Sequence, residues 1–116
     1  MKKNLLLLFI FLVFAMGAMF FLLPKKSEAN LDSFAQCLSS KGAVMYGAYW
    51  CPHCQNEKEA FGASFDFVSY VECTEKPNEC LAKGVQGYPT WIFPGGQRFV
   101  GEQGMTKLQE ASGCPL

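Results

Sequence analysis

The sequence predicts an α/β protein: a four-stranded mixed sheet flanked by helices, with an N-terminal membrane helix before it. Three observations carry this. Helix-like and strand-like stretches follow one another as α-β-α-β-α-β-β-α over residues 30–116. A Cys-x-x-Cys, within Trp50-Cys51-Pro52-His53-Cys54, stands where an apolar run gives way to a helical pattern. Residues 5–23 contain no charged or polar side chain at all. At 116 residues the chain has room for one small domain besides that run.

The apolar run, as a helix rising about 1.5 Å per residue, spans roughly 28 Å, near the hydrocarbon thickness of a bilayer. Lys2 and Lys3 precede it and Lys25 and Lys26 follow. An ordinary buried helix of a soluble domain does not fit, because the run has no polar face. Its length exceeds the apolar core of a typical signal peptide and favours an uncleaved anchor. Ser27-Glu28-Ala29 nevertheless offers small residues for cleavage, so residues 1–26 read as a signal-anchor or a signal peptide. Both readings place residues 30–116 outside the cytoplasm, in the periplasm or beyond. The lysine balance and the six cysteines point the same way. Beyond residue 26 there are six basic and ten acidic side chains, a net charge of −4, which argues against nucleic acid as a partner.

The folded part is expected to begin at Asn30, a suitable N-cap. Leu31, Phe34, Ala35 and Leu38 recur at helical spacing until Gly42 stops the helix. Residues 43–50 are uncharged and of strand length, as a central strand covered on both faces requires. Pro52 is tolerated in a first helical turn, and Cys54, Phe61 and Phe65 mark one face of a helix reaching about Ser64, with Lys58 snorkelling beside them. Residues 67–73 read as a second strand and residues 77–84 as a short helix with Pro near its start and Gly at its stop. Residues 90–93 and 97–101 form a hairpin about Pro94-Gly95-Gly96, and residues 106–111 close the chain as a helix. A helical crossover makes the first two strands parallel, whereas the last two are antiparallel.

Cys51 falls at the start of the second helix of the folded part, exposed enough to react, and Cys54 lies one turn inside on the same face. That asymmetry suits a nucleophile and a resolving thiol. Pro52 stiffens the turn, and His53, the only histidine, can place positive charge or a hydrogen bond near the Cys51 thiolate, which predicts a depressed Cys51 pKa. Two other readings remain at this point. A bridge between Cys51 and Cys54 closes too short a loop to stabilise much. A four-thiolate zinc site from Cys51, Cys54, Cys73 and Cys80 has the wrong spacing in its second pair, so no metal is expected. Cys73, ending the second strand, and Cys80, in the short helix, are favoured as one structural bridge, with Cys37 and Cys114 as the other. A pair relaying electrons to Cys51 and Cys54 is the alternative.

Trp-Cys-x-x-Cys at a strand-to-helix junction, followed by Gly87-Tyr88-Pro89-Thr90 entering a hairpin, resembles the thioredoxin-like superfamily. The resemblance implies a minimal thioredoxin- or glutaredoxin-like fold in which Pro89 is cis and the backbone of Tyr88 pairs with an extended substrate segment. Cys-Pro-His-Cys is the motif of DsbA-type oxidases, whose large helical insertion is missing here. Residues 42–54, Tyr70-Val71-Glu72-Cys73 and Gly87-Tyr88-Pro89-Thr90-Trp91 look most like the thioredoxin-like domains fused to bacterial vitamin K epoxide reductase homologues. This likeness, over roughly residues 31–114, implies a carrier that oxidises exported proteins and needs no cofactor. A separate membrane protein of vitamin K epoxide reductase type would then reoxidise it. Met45 stands where ordinary thioredoxins carry a buried carboxylate, which leaves water, Glu57 or another group to deprotonate the resolving thiol. A reductase or isomerase fed electrons across the membrane uses the same residues. So does a non-catalytic peptide-binding or chaperone module with a groove around Tyr49, Trp50 and Tyr88.

Overall fold

The computed structural model describes residues 1–21 and 31–116. The expected flanking lysines 25 and 26, the cleavage site at 27–29 and the N-cap at Asn30 lie outside the described residues. Helix α1 (Lys2–Phe21) is long and apolar enough to cross a membrane by length and composition. With no polar side chain between residues 5 and 19, it has no face suited to a domain surface.

The domain begins with α2 (Asp32–Ser40), whose Phe34, Ala35 and Leu38 are buried. Gly42 follows at φ 81°, a backbone conformation that favours glycine, and turns the chain into β1 (Val44–Gly47). Helix α3 (Pro52–Phe61) is next, then a 3₁₀ turn (Gly62–Phe67), β2 (Tyr70–Glu72), α4 (Pro77–Ala82), β3 (Thr90–Ile92), β4 (Arg98–Val100) and α5 (Gly104–Ser112). The sheet order is β2-β1-β3-β4. β1 pairs parallel with β2 and antiparallel with β3, and β3 pairs antiparallel with β4. The α/β class with its mixed four-stranded sheet is therefore as the sequence predicts.

Side chains alternate across the sheet and divide the interior into two parts. Met45 of β1 and Trp91 of β3 point into the larger core, with Phe34 and Leu38 of α2, Phe61 of α3 and Leu108 of α5. Tyr46 of β1 and Val71 of β2 point to the opposite face, where Cys80 of α4 and Val85 close a smaller cluster. Each part carries one disulfide. Cys37–Cys114 fastens α2 to the chain just past α5, and Cys73–Cys80 fastens the end of β2 to α4. Among the described residues, no group of His, Cys, Asp and Glu side chains is arranged to hold a metal.

The elements are shorter than the sequence pattern suggests, for local reasons. β1 ends at Gly47 rather than at Trp50, because the chain must leave the sheet to enter α3. The Cys51 N–H turns back to the Ala48 carbonyl at 3.1 Å, leaving Tyr49 and Trp50 exposed. α3 ends at Phe61, where Gly62 adopts φ 57°, and the following residues tighten into 3₁₀ geometry. Phe67 consequently lies on the surface before β2 instead of opening it.

Candidate functional site

Cys51 is the N-cap of α3, with extended backbone and Pro52 at the first helical position. Proline fits there because that amide has no partner inside the helix. The Cys54 N–H donates to Cys51 Sγ at 3.2 Å, so the cap is a sulfur in the place usually held by a hydroxyl or carboxylate oxygen. Cys54 lies inside the first turn and is fully buried. Cys51 is only 4% exposed, which corrects the expectation of an open nucleophile: the turn at Ala48 folds it into the same core cluster as Cys54. Both sulfurs are free thiols.

Burial pushes the Cys54 thiol up to about 12, with its hydrogen bond to Cys51 adding to the effect. The Ala48 backbone and the positive charge of Lys58 oppose it. A thiol held this way stays protonated at neutral pH, and only a strongly favourable step takes its proton.

The predicted binding residues lie in two stretches, Tyr49-Trp50 just before Cys51 and Tyr88-Pro89 just before β3. Trp50 is more than half exposed and meets Tyr88 edge to face, with centroids 6.0 Å apart at 79°. The Tyr88–Pro89 peptide bond is cis, and Pro89 is buried. The Thr90 hydroxyl donates to the Gly87 carbonyl at 2.7 Å, and the Gly101 N–H donates to the Pro89 carbonyl at 2.7 Å. Among the described residues, none of the backbone hydrogen bonds outside the regular elements uses Tyr88. Tyr49 is exposed, its N–H bonded to Glu72 and its carbonyl to Gln55.

His53 is arranged differently from its expected role. Its Nδ1 lies 3.0 Å from Glu102 Oε2, and Asn56 Nδ2 donates to the same oxygen at 3.3 Å. The imidazole therefore makes its hydrogen bond to the loop before α5 rather than to a sulfur. Hydrogen bonds from His53 and Asn56 hold the Glu102 carboxyl below its ordinary value, against a small effect of desolvation.

Several residues around the pair escape a reading of motifs. Glu57 is fully buried, and it accepts the Gln103 N–H at 2.6 Å and the Gly104 N–H at 2.9 Å. It thus satisfies the open N-terminal amides of α5. Each of its oxygens accepts one of these amides. Its signal is visible in retrospect, since Cys54, Glu57 and Phe61 share one helix face and a charge there demands a partner. Gly47 is a close-approach glycine. A Cβ at that position would stand 3.0 Å from Cys54 Sγ and 3.2 Å from a ring carbon of Tyr70. Tyr70 donates its hydroxyl to Glu72 Oε2 at 2.7 Å, and Lys58 Nζ sits 3.9 Å from the centre of the Tyr70 ring.

No protein-family model matches the chain. It is similar to a protein of Arabidopsis thaliana named thiol-disulfide oxidoreductase LTO1, with 37% identity over 103 residues covering 81% of this chain. The chain spans only 27% of that relative's length.

Proposed function

We propose that this chain is a membrane-anchored thiol-disulfide oxidoreductase that exchanges disulfides with exported proteins through Cys51 and Cys54. One observation carries the reading. Of six cysteines, four are bonded to each other, while the two at the start of α3 remain free thiols, one above the other in the first turn. The similarity to a relative named for thiol-disulfide exchange supports the same chemistry. It also supports the thioredoxin-like reading of the Trp-Cys-x-x-Cys and Gly-Tyr-Pro-Thr motifs.

In the oxidative direction a substrate thiolate attacks Cys51 Sγ of the oxidised pair. The bond between the two sulfurs breaks, Cys54 leaves as a thiolate and takes up a proton, and the substrate stays joined to Cys51. A second substrate thiolate then attacks the substrate sulfur, forming the substrate disulfide and releasing Cys51 as a thiolate. The Cys54 N–H directed at Cys51 Sγ is the type of contact that receives such a charge. Extended substrate segments would dock along Tyr88 and Pro89, beside Trp50 and Tyr49. The protonated, buried Cys54 favours this direction, because its attack on the mixed disulfide would return the substrate unoxidised. A membrane protein of vitamin K epoxide reductase type would restore the Cys51–Cys54 disulfide, with α1 holding the domain on the outer side of the membrane.

The test is a trapping experiment in cells. Cys54→Ser should accumulate mixed disulfides between Cys51 and exported proteins, released by reductant, whereas Cys51→Ser should accumulate none. Equal capture by the two variants, or full activity of the double Ser variant, would exclude the exchange mechanism and leave a peptide-binding module.

A further inference from the structure

Each turn of the proposed cycle delivers a proton to Cys54 or removes one, yet its sulfur has no contact with water. The groups around it narrow the route. From β1 comes Met45, buried and unable to carry a proton. From α3 come Cys51, itself a reactant, and Glu57, whose two oxygens each face an N–H at the start of α5. From β2 come Tyr70, whose hydroxyl donates a hydrogen bond to Glu72, and Glu72, which also accepts the Tyr49 N–H together with the N–H and hydroxyl of Thr74.

Lys58 remains. It follows Cys54 by four residues on α3, which places the two Cβ atoms about 5–6 Å apart on one face. Its ammonium is fixed over two rings, 3.9 Å from the Tyr70 centroid and 5.4 Å from that of Phe65. Tyr70 extends from there to the sulfur. The point where a Gly47 Cβ would stand is 3.4 Å from the Tyr70 hydroxyl and 3.0 Å from Cys54 Sγ. Lys58 is half-buried, partly open to solvent, and its charge lies near enough to act on the inner sulfur.

We propose that Lys58 carries the proton of Cys54. When the bond between the two sulfurs breaks, the electron pair leaves on Cys54 Sγ. Nζ passes it a proton, and the neutral amine takes another from water. When Cys54 attacks a mixed disulfide at Cys51, the same steps run in reverse: the amine accepts the S–H proton as the new sulfur–sulfur bond forms and the substrate sulfur departs. The assignment rests on Cys51 and Cys54 being a redox pair. It agrees with the direction of the electrostatics, since burial raises the Cys54 thiol and the Lys58 charge opposes it. An alkylammonium is acidic enough to protonate so basic a thiolate. Tyr70 and Glu72 are positioning residues in this arrangement.

The test uses the full-length protein in detergent, oxidised, with glutathione reduction of Cys51–Cys54 followed by rapid quench, alkylation and mass analysis. Lys58→Met keeps the apolar stem and loses the proton; it should slow reduction at pH 7 by about 100-fold, within the range of general acid catalysis. Lys58→Arg keeps a cation over Tyr70 but holds its protons too tightly to release one, and should remain at least about tenfold slow. Its melting temperature should match that of the unmodified protein, which separates proton transfer from packing. A wild-type rate in either variant would overturn the assignment, and in the Arg variant it would show that charge alone suffices. An unmodified protein whose Cys51–Cys54 pair does not cycle with glutathione would instead refute the redox reading itself.

Discussion

Glu57 offers a quantitative check on how the site is held. Glu57→Ala removes a buried carboxylate and leaves the N–H groups of Gln103 and Gly104 without acceptors at the start of α5. Each hydrogen bond to a charged group contributes about 1.5–3 kcal/mol, and unpaired buried amides add to the loss. A total of about 3–5 kcal/mol follows. In a domain of this size 1 kcal/mol moves the melting temperature by about 4–8 °C, so the variant should melt at least about 12 °C lower. Glu57→Gln keeps one acceptor but turns an amide donor toward an N–H, and should lose about 2–3 kcal/mol. Urea unfolding with both structural disulfides intact measures the loss, and hydrogen exchange should place the loosening first in α5. A loss below about 1 kcal/mol for Glu57→Ala would refute the view that this carboxylate anchors α5 and the loop carrying Glu102.

The two disulfides should differ in worth. Cys37–Cys114 has a sequence separation of 77 and Cys73–Cys80 one of 7. Removing the first should cost about 4–5 kcal/mol and the second about 2.5 kcal/mol in the chain-entropy model; equal losses in paired Ser variants would contradict that difference. Gly47→Ala would press a methyl group against Cys54 Sγ and Tyr70, for a loss of about 1–3 kcal/mol in urea unfolding and slower thiol exchange. Unchanged stability and rate would mean that the gap is not tight. Burial raises the Glu72 carboxyl, but hydrogen bonds from Thr74, Tyr70 and Tyr49 outweigh it and hold the group below its ordinary value of 4.5. A depressed carboxyl stabilises the fold above the unfolded value and loses that contribution as pH falls through the folded one. Glu72→Gln should therefore flatten the acid limb of the stability profile below about pH 4.5. An unaltered acid limb would count against the Glu72 hydrogen bonds.

The order of elements was legible because hydrophobic runs, Gly and Pro punctuate this chain clearly. Gly42 and Gly84 adopt positive φ where the sequence places helix stops, and β1 is the central strand that its uncharged run suggests. Boundaries were less legible. Whether residues 48–50 extend a strand or turn away depends on the Cys51 N–H finding the Ala48 carbonyl, a contact that composition does not encode. The same holds within the site. Cys51 and Cys54 announce themselves by spacing, but the burial of Cys51 depends on how the preceding turn packs. His53 bonds to Glu102, a residue 49 positions away. Glu57, Tyr70 and Glu72 act through partners on other elements, so neither periodicity nor a motif marks them. Lys58 reads as an ordinary snorkelling side chain until the rings beneath it are in place.

Equilibration of the full-length protein with glutathione buffers, read by alkylation and mass analysis, tests the proposed function most directly. The two-electron change should fall on Cys51 and Cys54 while Cys37–Cys114 and Cys73–Cys80 stay bonded. For an oxidase the potential should lie near about −120 mV. A value near about −270 mV would contradict the oxidative direction, and reduction of another pair before Cys51–Cys54 would contradict the site.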